Sequence, residues 1–211
     1  MSHRILSGTA LLLMLGAPLA AQEVRYGVAV NLAAPVGGFN SSTIPASVSG
    51  VPVQETYNSG AGADFLVCLP LNALWAMRFN AGVETFTGTA SPAGSYSWNL
   101  QDQVFTVGAV AQFFFDGNAI RQNGTYLMFG AALDFENFES SNGDPNYDPY
   151  TTTVNVTRPA ALVGIGHTFR SRWGGRYMLE AAYHKTLASD NLTAGNQPPS
   201  DYVRFTFGFI F

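Results

Sequence analysis

Residues 202–211 read YVRFTFGFIF, and in this stretch Val203, Phe205, Phe207, Phe209 and Phe211 occupy alternate positions. Arg204, Thr206 and Gly208 fall between them. A period of two belongs to an extended strand, whose successive side chains point to opposite faces. One face of this strand is therefore aromatic and the other small or polar. Three more stretches divide in the same way. In RYGVAVNL, Tyr26, Val28, Val30 and Leu32 oppose Arg25, Gly27, Ala29 and Asn31. In WAMRFNAGVETF, Trp75, Met77, Phe79, Ala81 and Val83 oppose Arg78, Asn80, Gly82 and Glu84. In YLMFGAALDFEN, Leu127, Phe129, Ala131, Leu133 and Phe135 oppose Met128, Gly130, Ala132, Asp134 and Glu136.

Read along the whole chain, the pattern predicts eight strands, at 23–33, 60–69, 74–86, 103–115, 125–137, 152–168, 176–186 and 201–211. The connections alternate in length. Short ones fall at 70–73, 116–124 and 170–175; long ones at 34–59, 87–102, 138–151 and 187–200 are rich in Gly, Ser, Asn, Pro and Thr. An even number of antiparallel strands with short turns at one end and long loops at the other predicts an all-β, eight-stranded, up-and-down transmembrane β-barrel. Both termini then lie on the short-turn side.

Composition narrows the classes of function. Of 211 residues, 47% are hydrophobic, 13% aromatic and only 11% charged, against about 25% charged in a soluble domain. Ten Lys and Arg against fourteen Asp and Glu give a net charge of −4 with no basic run, which excludes a nucleic-acid binder. The apolar content excludes a disordered chain. Cys68 is the single cysteine, so there is no internal disulfide and no thiolate zinc cluster. No cofactor is expected. Arg4 followed by LLLMLGAPLAAQ, with a short apolar core from Ala10 to Leu15 and small residues at Ala20 and Ala21, predicts a cleaved secretory signal over residues 1–21 and a barrel domain over 22–211.

Alternation leaves open which face is inside. A soluble lipocalin-like barrel alternates too, with its apolar face turned inward around a ligand. Here the other face is mostly Gly, Ala and Thr with a few charges, which solvates poorly and suits the inside of a narrow barrel. The apolar face suits lipid.

The signal, the eight alternating strands and the terminal YVRFTFGFIF resemble small bacterial outer-membrane β-barrel proteins of the OmpA and OmpX type. The resemblance covers essentially all of residues 22–211. It implies a bacterial outer-membrane location with both termini periplasmic, and contact with outer-membrane lipid and lipopolysaccharide. It also implies periplasmic chaperones and the barrel-assembly machinery as partners during biogenesis. For such proteins that machinery reads an aromatic last strand, a role the resemblance gives to Phe207, Phe209 and Phe211. Relatives of the OmpA type often carry a peptidoglycan-binding domain after the barrel; here the chain stops at the barrel, so that activity does not transfer.

Inward-facing charges form the candidate site: Arg25, Asp64, Arg78, Glu84, Asp134, Glu136, Arg158, Glu180 and Arg204. Folding each connection about its midpoint places Asp64 across from Arg78 and Asp134 across from Arg158, with Glu180, His184 and Arg204 as a third group between the last two strands. Paired, these groups make a crosslinked plug; separately hydrated, they line a thin channel. Their role is read as structural.

Glu180, His184 and Thr186 share one face and superficially resemble the arrangement of lipid A deacylase barrels. Thr stands where Ser is needed, and the group faces the lumen, so no catalytic residue is assigned. Asp144, Asn146 and Asp148 in NGDPNYDPY (142–150) echo a calcium loop, but Pro149 and Asn155 replace the Gly and Glu it needs, and no metal site is assigned. His167 is expected at an interface. Arg170, Arg172 and Arg176 near a short turn are read as solvated, with anionic headgroups or assembly factors as candidate contacts. The expectation is a structural or surface-interaction protein acting through its loops, whose partner is unknown. A narrow channel or hydrophobic-solute transporter, and a lipid A-modifying enzyme, are the alternatives.

Overall fold

The computed structural model describes residues 23–44, 52–92, 97–142, 151–187 and 199–211. The expected signal and residues 143–150 of the calcium-like loop lie outside them. Among the described residues there is no helix, and ten strands form: β1 Arg25–Pro35, β2 Ser41–Ile44, β3 Val53–Tyr57, β4 Gly60–Pro70, β5 Trp75–Pro92, β6 Trp98–Phe114, β7 Gly124–Asn142, β8 Thr151–Arg170, β9 Arg176–Thr186 and β10 Tyr202–Ile210.

Eight of these close into an antiparallel barrel in the order β4-β1-β10-β9-β8-β7-β6-β5, with β5 returning to β4. Closure leaves no free edge in the wall, because β1 pairs with β10 from Gly27–Ile210 to Pro35–Tyr202. Burial alternates along the strands, as in β4, where Phe65 is exposed while Leu66 and Cys68 are buried. The alternation read from the sequence is thus the inside–outside alternation of a closed barrel.

Three of the expected loops are partly strand: β7 runs to Asn142, into the loop expected over 138–151. β5 runs to Pro92 and β6 begins at Trp98, so the connection expected over 87–102 shrinks. Within 34–59, β2 and β3 form a hairpin that pairs with the upper part of β5, from Val53–Pro92 to Tyr57–Gly88. Val53, Glu55 and Tyr57 alternate with Gln54 and Thr56, but five residues among Ser, Gly and Pro are too short a run to outweigh the turn formers around them.

Candidate functional site: the packed lumen

The interior is filled in layers. Toward the short turns, Leu66, Cys68, Met178 and Ile210 pack together, beside Phe114, Tyr126 and Met128. Toward the loops, Phe39, Val53, Tyr57, Phe86, Leu100, Phe138 and Tyr202 form a second apolar cluster. Between the two lies a layer of buried ions.

Arg78 on β5 reaches Glu180 on β9. In the closed order these strands are four apart in either direction, so the pair spans the barrel's diameter. The guanidinium meets the carboxylate as a fork: Arg78 Nη1 donates to Glu180 Oε1, and Nη2 donates to Oε2 at 3.0 Å. Tyr126 Oη donates a third bond to Oε1 at 2.6 Å. Tyr126 lies against Gly166, where a Cβ would strike the phenol ring. That glycine is what lets the ring lie flat on the wall and reach Glu180.

Arg204 on β10 is held differently. Its Nη1 sits 3.0 Å from Glu84 Oε1 and 3.2 Å from Asp64 Oδ2, one nitrogen shared by two carboxylates. Asn31 Nδ2 donates to Glu84 Oε1 at 3.2 Å, and Thr206 Oγ1 donates to Asn31 Oδ1 at 2.8 Å. Asp64 faces Gly82 across the ladder, and a Cβ on Gly82 would occupy the place of its carboxylate.

A third group centres on Asp134. Its Oδ2 meets His184 Nε2 at 2.6 Å, and its Oδ1 accepts from Thr106 Oγ1 at 2.8 Å. The His184 ring stacks on Tyr202, with 4.5 Å between centroids. Nearer the loops, Arg158 Nη1 lies 3.0 Å from Glu136 Oε2, and Ser200 Oγ donates to Asp102 Oδ2 at 3.2 Å.

Of the ten residues expected in the lumen, nine are buried on inward faces: Asp64, Arg78, Glu84, Asp134, Glu136, Arg158, Glu180, His184 and Arg204. Their partners differ from those expected. Asp64 is not across from Arg78: the ladder sets Cys68 against Arg78, four residues away. Asn72 Oδ1 accepts from the amides of Leu74 and Trp75, which moves the turn beyond the midpoint assumed. Asp134 does face Arg158 in the ladder, while the guanidinium of Arg158 extends to Glu136. Glu180, His184 and Arg204 do not form one group; each reaches across the lumen to a different partner. Arg25 lies at the short-turn mouth, its Nη1 donating to the carbonyl of Arg121 at 3.0 Å.

Sequence reasoning missed the uncharged members Tyr126, Tyr202, Thr106, Asn31 and Ser200, and the carboxyl group of Asp102. A signal existed for two of them. Tyr126 and Tyr202 stand at inward positions, in step with Met128 and Arg204, and a tyrosine on the small-residue face calls for a buried partner.

Glu180 holds Arg78 and Tyr126, His184 holds Asp134, and Thr186 Oγ1 donates to the carbonyl of Ser200 at 3.1 Å. Each of the three is thus occupied by another group. Among the described residues the barrel interior buries Arg78, Arg158 and Arg204 with Asp64, Glu84, Asp102, Asp134, Glu136 and Glu180, and Glu55 and Asp201 are buried toward the loops. Asn31, Thr106, Tyr126 and Ser200 each donate to one of these carboxyl groups, and the arrangement is one of crosslinking between distant strands. The sequence matches no family model and no curated protein.

Proposed function

We propose that the chain is a small outer-membrane β-barrel with a plugged lumen, whose role is structural or interactive and is exerted by its outer surface and loops. The observation that carries this reading is the reversal of polarity across the wall. Ions are buried inside, while Val30, Leu32, Val163 and Phe205 outside are 59%, 67%, 57% and 55% exposed. Rows of exposed large apolar side chains continue through Phe79, Val83, Phe105, Leu133 and Leu179. A soluble monomer seldom shows apolar patches beyond a few hundred Å², whereas lipid accepts such a belt. Crosslinks that span the barrel's diameter support a plug rather than a pore.

On this reading the wall meets outer-membrane lipid and lipopolysaccharide, and the short turns face the periplasm. Phe207, Phe209 and Phe211 would present the signal read by the assembly machinery. Two measurements test the reading. Membrane fractions run heated and unheated on a gel should show a mobility shift, since closed membrane barrels resist detergent until boiled. The folded protein in planar bilayers should then give no steady conductance steps. A protein that stays soluble without a shift would overturn the membrane reading; regular steps would overturn the plug.

A further inference from the structure

The short-turn end concentrates positive charge. Arg25, Arg121, Arg170, Arg172 and Arg176 gather there, five of the ten Lys and Arg in the chain. The acids at this end are Glu23 and Asp116. Arg170 and Arg176 are ladder partners, and like charges directly opposite one another repel. Arg25 and Arg176 both donate to the carbonyl oxygen of Arg121, which holds two guanidiniums side by side. Among the described residues, Glu23 on Arg25, at 3.3 Å, forms the single ion pair of this rim. The fold thus assembles a repulsive arrangement and leaves most of it uncompensated.

Two neighbouring features indicate what compensates it. Trp173, at the tip of the turn between β8 and β9, is 90% exposed. An indole flanked by arginines suits the level where headgroups meet acyl chains. A shallow groove of about 860 Å³ also crosses the outer wall from Thr125 and His167, past Leu179 and Phe207, to Leu32. It begins beside the rim. Thr125 follows Arg121 by four residues, His167 precedes Arg170 by three and Leu179 follows Arg176 by three, and three residues of strand span about 10 Å. His167 Nδ1 and Thr125 Oγ1 make an exposed polar pair, 2.9 Å apart, at the point where groove and rim meet.

We infer that rim and groove together hold an anionic glycerophospholipid, its phosphate against the arginines and an acyl chain along the groove. This rests on the membrane reading above. Guanidiniums take phosphate oxygens in forked pairs. A lipid with net negative charge also relieves the repulsion among the arginines, which a zwitterionic lipid does only in part.

The test uses the full chain with Trp75→Phe and Trp98→Phe, so that Trp173 is the one emitter. The protein is folded into vesicles of equal parts phosphatidylcholine and phosphatidylglycerol, with bromine on the chains of one lipid or the other. Insertion is checked by the heated and unheated gel. Brominated phosphatidylglycerol is expected to quench Trp173 at least about threefold more than brominated phosphatidylcholine. Arg170→Gln, Arg172→Gln and Arg176→Gln combined should bring the ratio to one while the gel shift remains. If that variant fails to fold, raised salt should lower the ratio for the parent protein.

Equal quenching by the two lipids in an inserted barrel would overturn the inference and leave the membrane reading intact. A ratio unmoved by salt, or one that persists in the folded glutamine variant, would also overturn it. No gel shift and no quenching by either lipid would instead remove the membrane reading, and this inference with it.

Discussion

The outer wall and the lumen are built from the same strands, but their side chains are held by different neighbours. On the wall, contacts join residues already set side by side by the ladder: Phe105 against Phe135 at 6.1 Å, Trp75 against Phe113 at 5.0 Å. In the lumen they join strands far apart: Arg78 to Glu180 across the full diameter, Arg204 to Glu84 across three strands, Asp134 to His184 across two. A wall side chain is replaceable because one apolar neighbour serves as well as another. A lumen ion has specific partners, and removing its counter-ion strands a charge where water is scarce.

The largest effect is expected at Arg204. Arg204→Ala leaves Asp64 and Glu84 facing one another and should cost roughly 3–5 kcal/mol in urea unfolding from vesicles. A loss near that of an ordinary surface change would erase the contrast between lumen and wall. Arg78→Met alone should cost a similar amount, yet Arg78→Met with Glu180→Leu should recover most of it, because two apolar side chains of like volume strand no charge. If the double variant is as unstable as the single one, the pair does more than neutralise itself.

The wall can be made to behave like the lumen by placing a charge on it. On the membrane reading proposed above, Phe207→Arg, near the middle of β10, should cost about 2–4 kcal/mol by the same unfolding assay. Thr106→Val, which removes one donor from buried Asp134, should cost about 1–3 kcal/mol. At the small end, Phe105→Leu on the wall should change stability by no more than about 0.5 kcal/mol.

The outward and inward faces were legible in the sequence because alternation is a local property, repeated in RYGVAVNL, WAMRFNAGVETF and YVRFTFGFIF. Hairpin register was legible only where the connection is symmetric. It placed Asp134 opposite Arg158, but missed by four residues around Pro70, where the side chain of Asn72 shapes the turn. Partners across the lumen were not legible. They depend on how far the strands are staggered when the sheet closes, and no window of sequence contains that quantity. The β2–β3 hairpin was hidden for another reason: its pairing is fixed by the overhanging end of β5, a tertiary cause acting on a weak local pattern.

Beyond the apolar belt, burial raises the carboxyl of Glu55 on β3 above its ordinary value, against a hydrogen bond from Ser42 that lowers it. A carboxyl raised in the folded state favours that state when protonated. The β2–β3 hairpin should therefore be firmest below the ordinary carboxyl range and loosen as pH rises through the raised value. Amide exchange at Val53 and Thr56, corrected for its intrinsic pH dependence, should show this, and Glu55→Gln should abolish it.

The pairing of the first barrel strand with the last also bears on how the cell handles unfinished copies. The hydrogen bond from Thr206 to Asn31 joins residues 175 positions apart, so β1 waits for nearly the whole chain before its second edge is covered. A copy broken off anywhere before Tyr202 carries two bare strand edges along the wall, at β1 and at whichever strand comes last, where the intact wall is closed by β1 against β10. Truncated products would therefore be selectively adhesive. That difference gives proteolytic surveillance a way to recognise fragments without reading any particular sequence.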